Sequence, residues 1–324
     1  MPSEYKNCLV TFFDILGFSS LVSEEQSAEK IESILEAMRS ISQPDPISNL
    51  SQKFEEIKGR LEMLKTSKQK IATLEERKKW EKDFAQATSD LNDILKPEDI
   101  AKKQMNRMQT INFSDSIVRV VPLFAVSSLF SQVMMVVYEF FVLNRILADL
   151  ALKKILLRGG ITIGAINVGE SHVFGPALIK AYRLESRLAR YPRIVVDSNV
   201  LDLFHSPELA AATHEAGVVI DLNKMIEGQI RKDHDGVWFM DYIEGNRRVT
   251  KKEWFAKFIQ EHKEAVITRI EEFCSHSQDA SIGEKLFWIA NYHNSSVDYI
   301  EAEEIAKMGV EPSELKIIVP KLNY

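Results

Sequence analysis

The period of the hydrophobic pattern changes several times along the chain, and each change predicts an element. Cys8 to Phe13 is a continuous apolar and β-branched run that reaches a single acid, Asp14. A run of this kind reads as a strand buried on both faces. A lone carboxylate is costly to bury, so Asp14 is expected at the strand's end, before a bend at Gly17 and a helical pattern up to Val22. From Glu24 to Ile41 the apolar residues Ile31, Ile34, Leu35, Met38 and Ile41 keep helical spacing, which stops before Pro44 and Pro46. Ile111 to Val121 is two apolar runs pinched at Ser114-Asp115-Ser116, the pattern of a β-hairpin with an acid at its tip.

Further along, Leu123 to Leu152 reads as a long buried helix, with the Met134-Met135 pair as core. Leu156 to Val168 reads as a strand whose Gly159, Gly160 and Gly164 mark a bulge or a close backbone approach. Ala177 to Tyr191 is helical, and Ile194 to Asp197 is a strand. The turn Asp233-His234-Asp235-Gly236 leads into a strand from Val237 to Ile243. Lys251 to Phe273 and Ile282 to Tyr292 each carry an apolar stripe and predict helices.

One block breaks this sequence of elements. Ile47 to Arg107 is dense in Lys and Glu, with apolar positions at three- and four-residue steps, Ile57, Leu61, Leu64, Ile71 and Leu74, then Trp80, Phe84, Ala87, Leu91 and Ile94. It reads as an amphipathic, heptad-like arm. Two geometries return its ends to the core: a helical hairpin turning near Thr66-Ser67, or one long helix returning through a shorter one from Glu98 to Met108. The arm is a solvated helical appendage or a dimer or partner contact.

Composition narrows the class. The chain has 324 residues, 45% of them hydrophobic, which supports a sizeable core. A net charge of −6 gives no hint of a nucleic-acid surface, and no nucleic-acid partner is expected. Cys8 and Cys274 are the two cysteines, and Cys8 lies in the expected buried strand, so a reducing compartment fits. Met1 to Lys6 is polar and the apolar run after it is short, so no signal peptide is expected. The apolar stretch Val118 to Leu152 carries Arg119, Glu139, Asn144, Arg145 and Asp149, so it is not a membrane span. A cytoplasmic protein without a membrane segment is the expectation.

Asp14 at a strand's end and Asp115 at a hairpin tip would lie side by side. Two such carboxylates suit shared metal ions, a common device for phosphoryl and nucleotidyl transfer. The alternative for Asp14 is a cap or turn acid. The backbone N–H groups of Ile15, Leu16, Gly17, Phe18 and Ser19 are expected to face the same spot, where they would receive phosphate oxygens. Lys180, Arg183, Arg187 and Arg190 share one face of one helix. Such a stripe faces a polyphosphate, or it is neutralised by Glu185 or by acids elsewhere.

FFDILGF and FSDSIVRV resemble the first and second metal motifs of class III nucleotidyl cyclases. LRGGITIGAINVGE, VFGPALIKAYRLE and RIVVD resemble that family's later strands and its arginine helix, in order. The resemblance covers roughly residues 6–43 and 108–244 and is nearest to the bacterial anti-phage pyrimidine cyclases. It implies an α/β fold with a mixed, mainly antiparallel sheet flanked by helices. Residues 1–244 would form the cyclase domain, interrupted by the inserted arm at about 47–107, and 245–324 would form a C-terminal helical extension packed on the core. It implies a head-to-tail homodimer with two composite sites. Asp14, Ile15 and Asp115 would hold two Mg²⁺ or Mn²⁺ ions, and Arg183 would stabilise charge on the transferring phosphate. Leu16, Gly17, Phe18, Lys180 and Arg187 would contact the nucleotide.

The departures from the family bear on the base. Purine cyclases commonly carry Asn four residues before the arginine, where this chain has Ile179. The base-reading positions fall at about Ile111 and His172, which reproduce neither the adenine nor the guanine pattern. His172 is alternatively an ordinary exposed loop histidine. A site that hydrogen-bonds its base rejects bases that lack the partner groups, so the missing purine code favours a pyrimidine. UTP is the expected substrate, with CTP second. The product, cyclic UMP, would act on a separate effector protein. A nucleotide-binding sensor without catalysis and a scaffold built on the arm are the rivals.

Overall fold

The computed structural model describes residues 4–18, 28–42, 73–94, 108–126, 128–169, 172–209, 222–276 and 279–319. The chain opens with strand β1 (Lys6–Ile15), helix α1 (Ala28–Ser42) and helix α2 (Leu74–Ile94). The hairpin β2 (Gln109–Phe113) and β3 (Ser116–Val121) follows, then α3 (Leu129–Leu152), β4 (Leu157–Val168), β5 (Val173–Phe174) and α4 (Pro176–Leu188). Next come β6 (Ile194–Val196), α5 (Ser198–Phe204), α6 (Leu222–Glu227), β7 (Ile230–Lys232) and β8 (Trp238–Met240). Helices α7 (Tyr242–Val249), α8 (Lys252–His276), α9 (Ala280–Asp298), α10 (Ala302–Lys307) and α11 (Pro312–Leu315) complete the described residues. No described helix is long and apolar enough to cross a membrane. The fold is mixed α/β, with one mainly antiparallel sheet in the order β2-β3-β1-β4-β6-β8-β7, and β5 paired to β4. The β4–β6 pairing is parallel.

β1 lies between β3 and β4 and explains its own sequence. Leu9, Phe13 and Ile15 face the large core under α3. Cys8 and Val10 face a second cluster with Ala177 and Ala181 of α4, against which Phe12 packs. Both faces of an inner strand are covered, which a continuous apolar run requires. The thiol of Cys8 is pushed up to about 12 by this burial. The strand glycines mark close approach rather than a bulge: a Cβ on Gly160 would meet the Ala181 carbonyl oxygen and Leu184 Cβ at 2.4 Å each. Helix α4 is therefore seated directly on the β4 backbone.

Two expectations shift. The predicted strand Val237–Ile243 is the short β8, because the Asp241 carboxylate accepts from Glu244 N–H and starts α7 at Tyr242. The boundary drawn at residue 244 therefore falls inside a helix, and residues of α8, α9 and α11 share the main core with β1. Helix α2 confirms helix within the arm. The Thr66-Ser67 turn, Pro44 and Pro46, all but Met108 of the Glu98–Met108 segment, and the helix beyond Phe18 lie outside the described residues.

The charges within the apolar stretch 118–152 form a buried lock. Arg119 of β3 donates through Nε and Nη2 to the Glu139 carboxylate of α3, and through Nη1 to the Ile41 carbonyl at 2.7 Å. One guanidinium thus joins the sheet, α3 and the end of α1. Removing one partner of a buried pair strands the other charge, so Glu139→Ala is expected to lower unfolding stability by about 3–5 kcal/mol. An Arg119→Met/Glu139→Leu double variant should lose clearly less. Urea denaturation of the three proteins distinguishes the cases, and equal losses would contradict the lock.

A second buried network ties the C-terminal helices together. The His293 Nε2 faces the Leu315 carbonyl at 2.9 Å, so that nitrogen carries the hydrogen. His293 Nδ1 then accepts from His262 Nδ1–H at 2.9 Å, and His262 Nε2 accepts from the Tyr242 hydroxyl at 2.7 Å. Every group has one partner only when both rings are neutral. Burial pushes His293 down to about 4, opposed by its bond to Leu315, and holds His262 well below its ordinary value. The unfolded chain takes up these protons near pH 6.5 and the folded chain does not, so stability falls as pH drops from about 6.5 towards 4. At pH 5 each ring is expected to cost about 2 kcal/mol relative to pH 7. Urea titrations at both values, compared with a His262→Phe/His293→Leu double variant, test this; an unchanged pH dependence in the variant would contradict it.

Candidate functional site

The two acids meet at one end of the sheet. Asp14 is registered with Ser116, and the Ile15 N–H donates to the Asp115 carbonyl at 3.1 Å, so the hairpin tip lies against the end of β1. Ser114 takes a left-handed φ of 56°, which turns the tip tightly enough for this. Asp14 lies on the same sheet face as Cys8 and Val10, the face that carries α4.

A guanidinium and a third carboxylate join them. The Arg158 Nε of β4, opposite Asp14 in the ladder, donates to Asp14 Oδ2 at 2.7 Å and lies 2.8 Å from Glu185 Oε1 of α4. Burial pushes the Glu185 carboxyl above its usual range; Arg158 opposes this, and the charges of Asp14 and Asp115 reinforce it. Arg158 thus lies between the carboxylates of Asp14 and Glu185, with Asp115 nearby on the hairpin tip. Sequence reasoning missed Arg158, whose signal was a lone arginine beginning the otherwise apolar LRGGITIG strand. Glu185, one of the acids that the sequence offered as an alternative neutraliser of the basic stripe, pairs with Arg158 instead.

The backbone amides behave differently from expectation. Ile15 N–H is taken by Asp115, and Leu16 N–H donates to the Leu156 carbonyl at 2.9 Å. Those two amides complete the sheet and are withdrawn from any ligand. Gly17 sits in a left-handed turn with φ 74° and is exposed, and Phe18 packs half-buried against the main core. Ser19 lies outside the described residues.

The basic stripe divides. Lys180 Nζ pairs with Asp197 at 2.5 Å, a carboxylate that also accepts from Thr162. For Lys180 the neutralised reading therefore holds in this structure. Arg183, Arg187 and Arg190 are exposed and have no carboxylate partner among the described residues. At about 100° per residue, Arg183 lies roughly 200° around α4 from Glu185, directed away from its own Asp14 cluster. An open groove of about 670 Å³ runs along this outer face, past Ile179, Lys180, Arg183, Arg187 and Leu188. Among the described residues, its lining comes from α4 alone.

The base-reading candidates are spread out. Ile111 is half-buried on edge strand β2, in a cross-strand row with Val118, Phe12 and Gly160. Ile179 is 52% exposed on α4. His172 is exposed beyond the far end of β4, its ring stacked on Phe174 at 5.8 Å and 28°. Ten residues of strand separate Arg158 from Val168, roughly 33 Å at the usual rise. One chain therefore brings Asp14, Asp115, Arg158 and Glu185 together and keeps His172 and the Arg183 face apart from them.

The donor set at the cluster is all oxygen and net negative, which fits a hard divalent cation held by Asp14 and Asp115. Among the described residues, no three His, Cys, Asp or Glu side chains converge as a metal site. Arg158 sits on Asp14 where a cation would compete with it. No protein-family description matches this chain, and no curated protein is detectably similar to it.

If Asp14 and Asp115 form a cation site, Mn²⁺ titrated into the protein should bind, with affinity at least tenfold weaker in Asp14→Ala and in Asp115→Ala. Electron paramagnetic resonance of free Mn²⁺ reads this without any activity assay. Unchanged binding in both folded variants would remove these carboxylates from the site.

Proposed function

We propose that the protein is a pyrimidine nucleotide cyclase that converts UTP to 3′,5′-cyclic UMP and pyrophosphate. The observation that carries this reading is the split arrangement: paired acids at one sheet end, and exposed arginines on the outer face of α4, without a carboxylate partner among the described residues. Two copies arranged head to tail would place the Arg183 groove of one against the Asp14–Asp115 cluster of the other.

In the reaction, the ribose 3′-oxygen attacks the α-phosphorus, the bond from that phosphorus to the pyrophosphate oxygen breaks, and the hydroxyl proton passes to solvent water. Asp14 and Asp115 would hold two Mg²⁺ or Mn²⁺ ions, which would lower the pKa of the ribose hydroxyl and neutralise charge on the triphosphate. Arg158, already beside Asp14, holds the carboxylate in position. Arg183 from the second copy donates two hydrogen bonds to phosphate oxygens and stabilises the charge that develops on the α-phosphate. Arg187 steers the polyphosphate from the next turn.

The pyrimidine preference rests on Ile111, His172 and Ile179, which replace the purine- and ribose-reading side chains of the family that the motifs resemble. Selectivity for UTP over ATP and GTP by at least about tenfold, roughly 1.4 kcal/mol, is a modest demand on a few buried hydrogen bonds. CTP is the alternative substrate. A catalytically inert nucleotide sensor is favoured by two observations: Ile179 has no hydrogen-bonding group for the ribose, and Arg158 already occupies Asp14. The cyclic product would act on a separate effector protein in anti-phage defence.

The composite site has its own test. Asp115→Ala and Arg183→Ala proteins are each expected to be inactive, and mixing them should restore activity through heterodimers with one intact site. No recovery, with subunit exchange demonstrated, would mean that each chain holds a complete site.

A further inference from the structure

At the sheet edge remote from β2, a pocket of about 320 Å³ opens between β7, β8 and helix α9. It has no part in the reaction proposed above. Its walls are aromatic: Phe239, Trp288 and Tyr292 form the floor, and Tyr299, 68% exposed, stands at the rim.

The electrostatics of the pocket are one-sided. Its Asp233 is saturated: Oδ2 accepts from Arg193 and from the Trp288 indole N–H at 2.8 Å, and Oδ1 accepts from the His234 backbone and ring. Asp241, behind Arg231, is saturated as well, accepting Arg231 Nε–H at 2.5 Å and the Tyr292 hydroxyl at 2.7 Å. The positive groups are not. Lys232 has no carboxylate partner among the described residues, and its ammonium lies 5.9 Å from the Trp238 ring centre. Arg231 gives one N–H each to Asp241, Ser295 and Ser296, which leaves two of its five for a ligand.

We propose that this pocket is a second ligand site, for a small phosphorylated planar molecule of nucleoside-monophosphate size. Arg231 and Lys232 receive the phosphate. Tyr299 presents an exposed aromatic face for a ring to stack on, and Arg231 already stacks on it from 5.1 Å. The exposed Asn291 amide, without a partner among the described residues, is available to a ring edge. The volume lies within the range of small-molecule sites, and an apolar floor with a few convergent polar groups is their usual construction. The same turn also anchors α4: Arg193 joins Asp233 and Asp235 to the Leu188 carbonyl at 3.1 Å.

Equilibrium dialysis of the full chain with UMP, inorganic phosphate and uridine tests the site. Lys232→Ala and Tyr299→Ala change exposed side chains, and circular dichroism checks their folding. Arg183→Ala controls for binding at the α4 groove. The expected result is saturable UMP binding that survives Arg183→Ala, weakens at least tenfold in Lys232→Ala and in Tyr299→Ala, and is stronger than binding of phosphate or uridine. UMP binding that is equal in Lys232→Ala and the parent, or lost only in Arg183→Ala, would overturn the site. Phosphate binding as tightly as UMP would overturn the planar-ligand assignment. Because the readout is binding, its failure leaves the cyclase proposal untouched, and failure of the cyclase proposal leaves this one untouched.

Discussion

Arg158 serves two carboxylates from different elements, and the geometry of the candidate site follows from that. Asp14 ends β1, Glu185 lies on α4, and Arg158 stands between them on β4. The contact requires α4 to lie directly on the β4 backbone, which Gly160 permits because any Cβ there would collide with Ala181 and Leu184. It also requires the β1–β4 register, since a one-residue slip would send Asp14 into the core under α3. Once α4 is fixed by Glu185 and by Ala177 and Ala181, helical periodicity turns Arg183 outward. Acids gathered inward and arginines turned outward are thus two consequences of one packing arrangement.

Much of this was legible in the residues, where a strong period or a costly group left little choice. β1, the hairpin around Asp115, α3, β4 and α4 each carry a continuous or periodic apolar pattern, and Asp14 sits at the strand end that burial of a carboxylate demands. What could not be read was cross-strand and cross-element pairing. Arg158 meets Asp14 only through the ladder, 144 residues apart in sequence. Lys180 belongs to the basic stripe by spacing, yet Asp197 claims it because parallel pairing of β6 with β4 delivers that carboxylate beside Thr162. The amides of Ile15 and Leu16 looked free because they follow a strand, but the ladder extends to them. β8 ended early because the Asp241 cap outweighed the strand propensity of Tyr242 and Ile243.

The C-terminal helices are part of the core rather than an appendage. Their aromatic stack runs from Tyr191, just after α4, through Trp288 to Tyr292, with Trp288 parallel to Tyr191 at 5.7 Å and to Tyr292 at 5.4 Å. Arg193, with its side chain fully enclosed, joins that stack to the end of the arginine helix. The position of α4, and with it the aim of Arg183, therefore depends on residues far along the chain from the acids.

The central claim is that the acids of one copy and the arginine of another cyclise a pyrimidine nucleotide. The most direct measurement is to incubate the purified full chain with Mn²⁺ and equimolar UTP, CTP, ATP and GTP, and to identify the products by mass spectrometry. The account predicts 3′,5′-cyclic UMP with pyrophosphate, and none after EDTA. Bound nucleotide with no cyclic product from any of the four, in a folded dimeric protein, would contradict it.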